Sequence, residues 1–153
     1  MARYVARVPS GAAPERVYNY LANFTTIAEW DPGVTSAELL SGPPATEGAV
    51  YRVVAAFGPR KIPLDYRVLF AEPPHPRQPG RILLEATTSE FSSRDIIEVS
   101  AADTGCVAVY DATLELAGLR QVADPFMQLA FNIVGRRAEN GLITALADPT
   151  RFA

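Results

Sequence analysis

Residues 124–146 read DPFMQLAFNIVGRRAENGLITAL, and this stretch decides the fold. Its apolar residues recur at the three- and four-residue spacing of one helix face. Asp124 and Pro125 suit an N-cap and a first helical position, and Pro149 stands just beyond the stretch. The sequence therefore predicts a long amphipathic helix, whose apolar face consists of Phe126, Leu129, Ala130, Ile133, Val134, Ala138, Leu142, Ala145 and Leu146.

Upstream of this helix, polar and apolar residues alternate in segments that are typical of half-buried strands. A first strand is predicted at residues 3–8, then a helix that starts at Pro14 and a second short helix at residues 25–30. Six further strands are predicted at residues 34–40, 49–57, 62–71, 81–91, 94–101 and 106–116. Most links between them are shorter than the roughly dozen residues that a parallel crossover needs, so the six strands form an antiparallel meander.

A meander of this length cannot bury its apolar face by itself. We therefore expect an α+β fold in which a curved antiparallel sheet wraps around the long C-terminal helix, with the two short helices filling one end. The element order is β-α-α-β6-α, and residues 1–153 form a single domain. The proline-rich stretch at residues 73–79 is expected to be a surface loop between two strands.

The composition argues against several functional classes. Among the 153 residues, 14 Lys and Arg stand against 17 Asp and Glu, and a net charge of −3 lacks the positive field of a nucleic-acid-binding protein. One cysteine and one histidine cannot supply a His/Cys metal cluster or a histidine-based triad, so we expect no metal and no cofactor. No apolar run reaches the roughly 18 residues of a membrane span. We expect a cytoplasmic protein that is a monomer or a homodimer.

Strand alternation divides the sheet into an inner and an outer face. The inner face is apolar with a polar end, because continuing the alternation to the strand ends places Thr88, Glu90 and Asp95 on it. Several inner residues are small, among them Ala108, which requires either a close approach of the helix or a cavity. Gly135 within the predicted helix favours the close approach, whereas the inward tyrosines would give a cavity its polar groups.

The sequence resembles the START and birch-pollen-allergen superfamily (SRPBCC), and within it the bacterial polyketide cyclase/dehydrase-like group. The resemblance covers almost the whole chain and is carried by PERV at 14–17, LAN at 21–23, EWDPGV at 29–34, GAVYRV at 48–53, YRV at 66–68, PP at 73–74, the stretch 105–110 and the long C-terminal helix. It implies a helix-grip fold that encloses a deep pocket for an apolar molecule.

The predicted pocket lies between the inner face of the sheet and the C-terminal helix. Its expected ligand-binding residues are Trp30, Tyr51, Val53, Tyr66, Val68, Phe70, Leu84, Ile97, Ala108, Tyr110, Phe126, Ala130, Ile133 and Val134. Asp95 and Glu90 are the only carboxylates that the alternation places inward, and a carboxyl group beside an apolar cavity can serve as an acid or a base. With Tyr110 as a hydrogen-bond donor they form the candidate catalytic group. The alternative is that both carboxylates lie at a solvated rim or pair with Arg94.

Three functions are consistent with these features. The first is binding of an apolar or aromatic small molecule, lipid-like or polyketide-like, in an internal cavity. The second is a cyclase- or dehydratase-type enzyme that uses the pocket acid and the tyrosines as proton carriers. The third is a protein-interaction module that uses the groove or residues 73–79. The sequence offers no nucleophile–base pair, which favours binding over catalysis.

Overall fold

The computed structural model describes residues 1–116 and 125–152. Its strands are β1 (Ala2–Ser10), β2 (Val34–Ser41), β3 (Val50–Phe57), β4 (Arg60–Glu72), β5 (Gly80–Thr87), β6 (Phe91–Ala101) and β7 (Cys106–Leu116). Its helices are α1 (Pro14–Ala22), α2 (Ile27–Trp30) and α3 (Pro125–Leu146), with 3-10 turns at Phe24–Thr26 and Pro149–Phe152. This order confirms the predicted succession of elements.

The seven strands form one antiparallel sheet in the order β1-β7-β6-β5-β4-β3-β2. The first strand pairs with the last along its whole length, from Ala2 opposite Leu114 to Ser10 opposite Cys106. The sheet curls around α3, so the predicted α+β helix-grip fold is confirmed. In the two described ranges, no helix has the length and apolar character needed to cross a membrane.

The short helices fill one end of the interior. Pro14 begins α1 and Glu15 lies in its first turn, where a carboxylate complements the positive helix end. The ring of Phe24 lies beneath them, with its centroid 5.2 Å from that of Tyr66 and 6.2 Å from that of Tyr51, both edge-on. Aromatic packing therefore fills the interior around Phe24.

The alternation of inner and outer residues is confirmed over the middle of every strand of the meander after β2. The predicted inner residues that are buried are Tyr51, Val53, Leu64, Tyr66, Val68, Ile82, Leu84, Ala86, Asp95, Ile97, Val99, Cys106, Ala108, Tyr110 and Ala112. Burial also raises the pKa of the Cys106 thiol, which suits a small buried apolar residue rather than a reactive one.

The inward placement of Phe70 is wrong. Its side chain is 41% exposed, whereas Val68, two residues earlier, is buried. The register between β4 and β5 shifts between Val68 and Phe70, as at a β-bulge. A bulge adds a residue to one strand and so breaks the two-residue period beyond it.

The inward placement of Glu90 is also wrong, because neither neighbouring strand reaches it. β5 ends at Thr87 and β6 begins at Phe91, so residues 88–90 form the turn where strand was predicted. The Thr88 backbone N–H donates to the carbonyl of Phe91 (2.8 Å), and the Thr88 hydroxyl oxygen accepts the N–H of Glu90 (3.2 Å). A local side-chain bond of this kind ends the ladder, and Glu90 is exposed.

The predicted inner face of α3 is confirmed in its C-terminal half, at Ala138, Leu142, Ala145 and Leu146, but is wrong at Leu129 and Ile133. Ile133, predicted to face inward, is 47% exposed, and Leu129 is more exposed still. Gly135 is buried instead, and a Cβ atom at its position would lie 2.2 Å from Cγ of Tyr4. The helix approaches the sheet so closely that small residues occupy the contact, followed along the same face by Ala138, Leu142, Ala145 and Leu146.

Side chains of α3 also bond to β1. The side-chain amide of Gln128 accepts the backbone N–H of Arg3 (3.2 Å) and donates to its carbonyl (3.1 Å). The Tyr4 hydroxyl donates to the carboxylate of Glu139. These bonds fix the helix against the first strand and thereby set the width of the space behind it.

Candidate functional site

A cavity of about 100 Å³ lies between the sheet and the middle of α3. Val53 on β3, Leu64 on β4 and Ala112 on β7 line its sheet side. Phe131 and Val134 line its helix side. Most of the lining is apolar, which suits a ligand with little polarity.

A buried hydrogen-bonded cluster stands on one wall of this cavity. The hydroxyl of Tyr110 on β7 donates to Oδ2 of Asp95 on β6. Oγ of Ser93 donates to Oδ1 of Asp95 over 3.3 Å, and the hydroxyl of Tyr66 on β4 lies 2.9 Å from the same Oγ. All four side chains line the cavity. The carboxyl group of Asp95 therefore accepts hydrogen bonds from two sides, directly from Tyr110 and from Ser93, which in turn bonds to Tyr66.

Burial changes the acidity of Asp95. The side chain is 2% exposed, and removal from water raises its pKa from 3.8 to about 7. The hydrogen bonds from Tyr110 and Ser93 act in the opposite direction, and the charge of Asp31 adds to the rise. A carboxyl group with a pKa near neutral can both give and take a proton under physiological conditions.

The cavity tyrosines are weaker acids than usual. Burial, followed by the charge of Asp95, raises the pKa values of Tyr66 and Tyr110 well above the ordinary value of 10. Burial and the bond to Glu139 raise the pKa of Tyr4, which also lines the cavity, to about 12. These hydroxyl groups therefore remain protonated and act as hydrogen-bond donors.

Asp31 supplies a second carboxyl group to the cavity lining. It lies directly after α2, and its Oδ1 accepts the backbone N–H of Gly33 over 2.8 Å, closing the turn into β2. Burial raises its pKa, although this hydrogen bond counteracts the rise. The cavity is thus lined by two carboxyl groups that lie far apart in the sequence, those of Asp31 and Asp95.

The structure brings together only part of the predicted site. Of the predicted residues, those that line the cavity are Val53, Tyr66, Asp95, Tyr110 and Val134. Those buried outside the cavity lining are Trp30, Tyr51, Val68, Leu84, Ile97 and Ala108. Those turned to solvent are Phe70, Glu90 and Ile133. The side chains of Phe126 and Ala130 lie outside the described part of the structure.

Trp30 lies outside the cavity lining and contacts one of its residues. Its ring meets that of Tyr110 edge-on, with centroids 5.3 Å apart. The side chain is buried, and its indole N–H has no partner among the described residues. Trp30 therefore packs against Tyr110 from outside the cavity lining.

Sequence reasoning missed most of the lining, and four of the missed residues show why. Asp31 was assigned only to a turn. Ser93 was assigned to a hairpin link, although it precedes Asp95 by two residues on β6 and therefore shares its face of the sheet. Tyr4 lies on the first strand, whose inner face was not assigned. Phe131 was left out of the apolar face of the helix but is half-buried. Its placement needs the rotation of α3, which the sequence pattern does not give.

No group of three or more His, Cys, Asp or Glu within residues 1–116 and 125–152 has an arrangement that could hold a metal ion. The polar side-chain groups that the described lining offers are carboxyl and hydroxyl groups.

Comparison with known families decides where the chain belongs. The family model described as "Polyketide cyclase / dehydrase and lipid transport" matches residues 1–146. The chain belongs to this family. A comparison with curated proteins gave no significant match. Membership in the polyketide cyclase/dehydrase and lipid transport family confirms the resemblance noted from the sequence.

Solved structures similar to this family member confirm the fold alone. A START superfamily protein from Mycobacterium smegmatis has a TM-score of 0.74 at 12% identity, covering 95% of this chain and 97% of that one. Major latex-like protein 151 from Panax ginseng has a TM-score of 0.67 at 10% identity, covering 96% and 98%. The di-domain ARO/CYC BexL from the BE-7585A biosynthetic pathway has a TM-score of 0.63 at 18% identity, covering 93% of this chain and 48% of that one.

Proposed function

We propose that this protein binds one small, largely apolar molecule in the cavity, with Asp95 and Tyr110 orienting its polar end. The observation that carries the proposal is a buried carboxyl group on the wall of an otherwise apolar cavity. Taking a carboxyl group out of water costs stability, and an apolar residue of similar size would fold at less cost. A ligand that bonds to the carboxyl group gives this costly placement a purpose.

The volume of the cavity limits the size of the ligand. An engineered cavity of about 150 Å³ accepts benzene. A cavity of about 100 Å³ is smaller than that one, so it takes a single ring only when side chains of the lining move outward. The ligand is accordingly a single-ring compound, or a longer lipid-like or polyketide-like molecule that places one such group inside.

Filling the cavity tests this proposal. Ala112 lines the cavity next to Asp95, so Ala112→Leu should reduce the affinity for benzyl alcohol roughly tenfold or more, because the added carbons take the space of the ring. Ala147→Leu makes the same change at an exposed position and serves as the control. Amide chemical shifts of Val34 and Phe91, both in the lining, report binding. Equal affinities for the wild type and both variants, or no shift at all, would contradict the proposal.

A second function, acid–base catalysis at a carbonyl group, is favoured by the neutral-range pKa of Asp95. If the Tyr110 hydroxyl turned from Asp95 to donate to a ligand carbonyl, the α-protons of that ligand would become more acidic, and the ionised Asp95 carboxylate would take one of them. The family description includes cyclase and dehydrase activities, and enolisation is the elementary step that this pair of side chains could perform.

Exchange of α-protons measures that step directly. The protein should speed the exchange of the α-protons of phenylacetone for deuterium, followed by proton NMR. Asp95→Asn should abolish the acceleration even with the cavity saturated by phenylacetone, since a neutral amide keeps the size of the group but not its basicity. Exchange that is no faster than in buffer, or that persists in Asp95→Asn, would rule out Asp95 as the base.

A further inference from the structure

We propose that the natural ligand of this cavity is an apolar amine, held as its ammonium ion between the carboxyl groups of Asp95 and Asp31 and the surrounding aromatic rings. This inference rests on the proposed function, because it names the chemical class of the bound molecule. It does not depend on any reaction taking place.

The charges that line the cavity are of one sign. Asp31 and Asp95 both belong to the lining, whereas no Lys, Arg or His is among the described residues that form it. The charge of Asp31 raises the pKa of Asp95. The cost of burying them is already part of the folded state, so a cation that enters gains their attraction without adding that cost.

Both carboxyl groups have acceptor capacity to spare. A carboxylate offers about four lone-pair positions. Asp95 accepts hydrogen bonds from Tyr110 and Ser93, and Asp31 accepts one from the backbone of Gly33. An ammonium group brings only donors, which match the unused positions.

Aromatic rings form much of the remaining wall. Five line the cavity, namely those of Tyr4, Tyr66, Phe91, Tyr110 and Phe131. The face of such a ring attracts a cation, and the attraction strengthens when water is excluded. Cages of aromatic rings are known surroundings for ammonium groups in proteins.

The same features disfavour an acid as ligand. A ligand carboxylate would meet two carboxyl groups and find no cationic side chain in the described lining. A free fatty acid is therefore a poor ligand for this cavity.

Three probes of one size and different charge test the proposal: benzylamine, benzyl alcohol and benzoate. At pH 8 benzylamine should bind roughly tenfold more tightly than benzyl alcohol, and benzoate should bind most weakly. Amide shifts of Val34 and Phe91 locate the bound probe. Binding of benzyl alcohol with no preference for benzylamine would overturn the amine proposal and leave the proposed function standing. No binding of either probe would overturn both.

Isosteric variants identify the groups responsible. Asp95→Asn and Asp31→Asn should each remove most of the preference for benzylamine over benzyl alcohol, and the amide oxygen at position 31 can still accept the Gly33 N–H. Asp65→Asn is the control, because Asp65 lies exposed on the outer face, paired with Arg52, and the variant changes the net charge equally. A preference that falls equally in all three variants would show a general charge effect and contradict the site.

Proton release gives an independent measurement. The titratable or polar groups facing Asp95 are Tyr66, Ser93, Tyr110 and Asp31, with Asp111 acting from further away. At pH 6 Asp95 is mostly protonated, so binding of benzylamine should expel close to one proton, whereas benzyl alcohol should expel none. Calorimetry in two buffers with different ionisation enthalpies counts the protons. Equal counts for the two probes, or an unchanged count in Asp95→Asn, would contradict the proposal.

Discussion

The hydroxyl of Tyr110 donates a hydrogen bond to Asp95 across the β6–β7 ladder, and both side chains face the cavity. This bond stabilises the ionised form of the carboxyl group, whereas burial stabilises the neutral form. The balance between the two effects places the pKa of Asp95 at about 7.

Removing the donor should shift that balance. In Tyr110→Phe the pKa of Asp95 should rise above its wild-type value, because the strongest interaction that favours the charged form is lost. Ser93→Ala should raise it by a smaller amount, since the Ser93 bond is the weaker of the two. The carbon-13 shift of the Asp95 carboxyl group followed over pH measures both values. A pKa that falls, or that moves more in Ser93→Ala, would contradict this account.

The burial of Asp95 predicts an unusual dependence of stability on pH. The folded-state pKa lies above the unfolded value, so between about pH 4 and about pH 7 the folded state binds more protons and its unfolding free energy falls as the pH rises. The gap between 3.8 and about 7 corresponds to about 4 kcal/mol, at about 1.4 kcal/mol for each pH unit.

Asp95→Asn should remove this dependence. The unfolding free energies of both proteins are measured with urea from pH 4 to pH 8. The value for the variant minus that for the wild type should increase as the pH rises and become constant above about pH 7. Carboxylates whose pKa is lowered, such as Asp65, contribute equally to both proteins and cancel in the comparison. Parallel curves would show that folding does not change the pKa of Asp95.

The close approach of α3 to β1 predicts a reversal of an ordinary helix rule. Gly→Ala inside a helix usually stabilises by about 1 kcal/mol. Gly135→Ala should instead destabilise by about 2 kcal/mol, because the new methyl group would overlap the ring of Tyr4. In the Tyr4→Ala background the same change should cost much less. Gly141→Ala meets the backbone carbonyl of Trp30, so Tyr4→Ala should not relieve it. Urea unfolding of the single and double variants checks the coupling.

The bulge in β4 predicts that two apolar residues on one strand differ in importance. Val68→Ala should cost about 2 kcal/mol, since the side chain is buried in the core. Phe70→Ala removes a larger side chain but should cost less than about 1 kcal/mol, because much of it is already exposed. The reverse order of the two unfolding free energies would place Phe70 inside.

The sequence was informative where one repeating pattern extends over many residues. Alternation placed Asp95 and Tyr110 inside correctly, because both lie in the middle of long strands. It failed at Phe70 and Glu90, where a bulge and a turn interrupt the period, and neither interruption has a glycine or proline to announce it. It also failed for Ile133, since apolar residues lie nearly all around α3 and the contact with Tyr4 decides which side faces in.

The Gln128 amide that bonds to both backbone groups of Arg3 has a consequence for association with other chains. A side-chain amide presents one donor and one acceptor much as a peptide group does, so at this point it takes the place of a neighbouring strand. An incoming chain would have to displace it before it could continue the ladder there. This margin of the sheet is consequently a poor place for fibril growth to start.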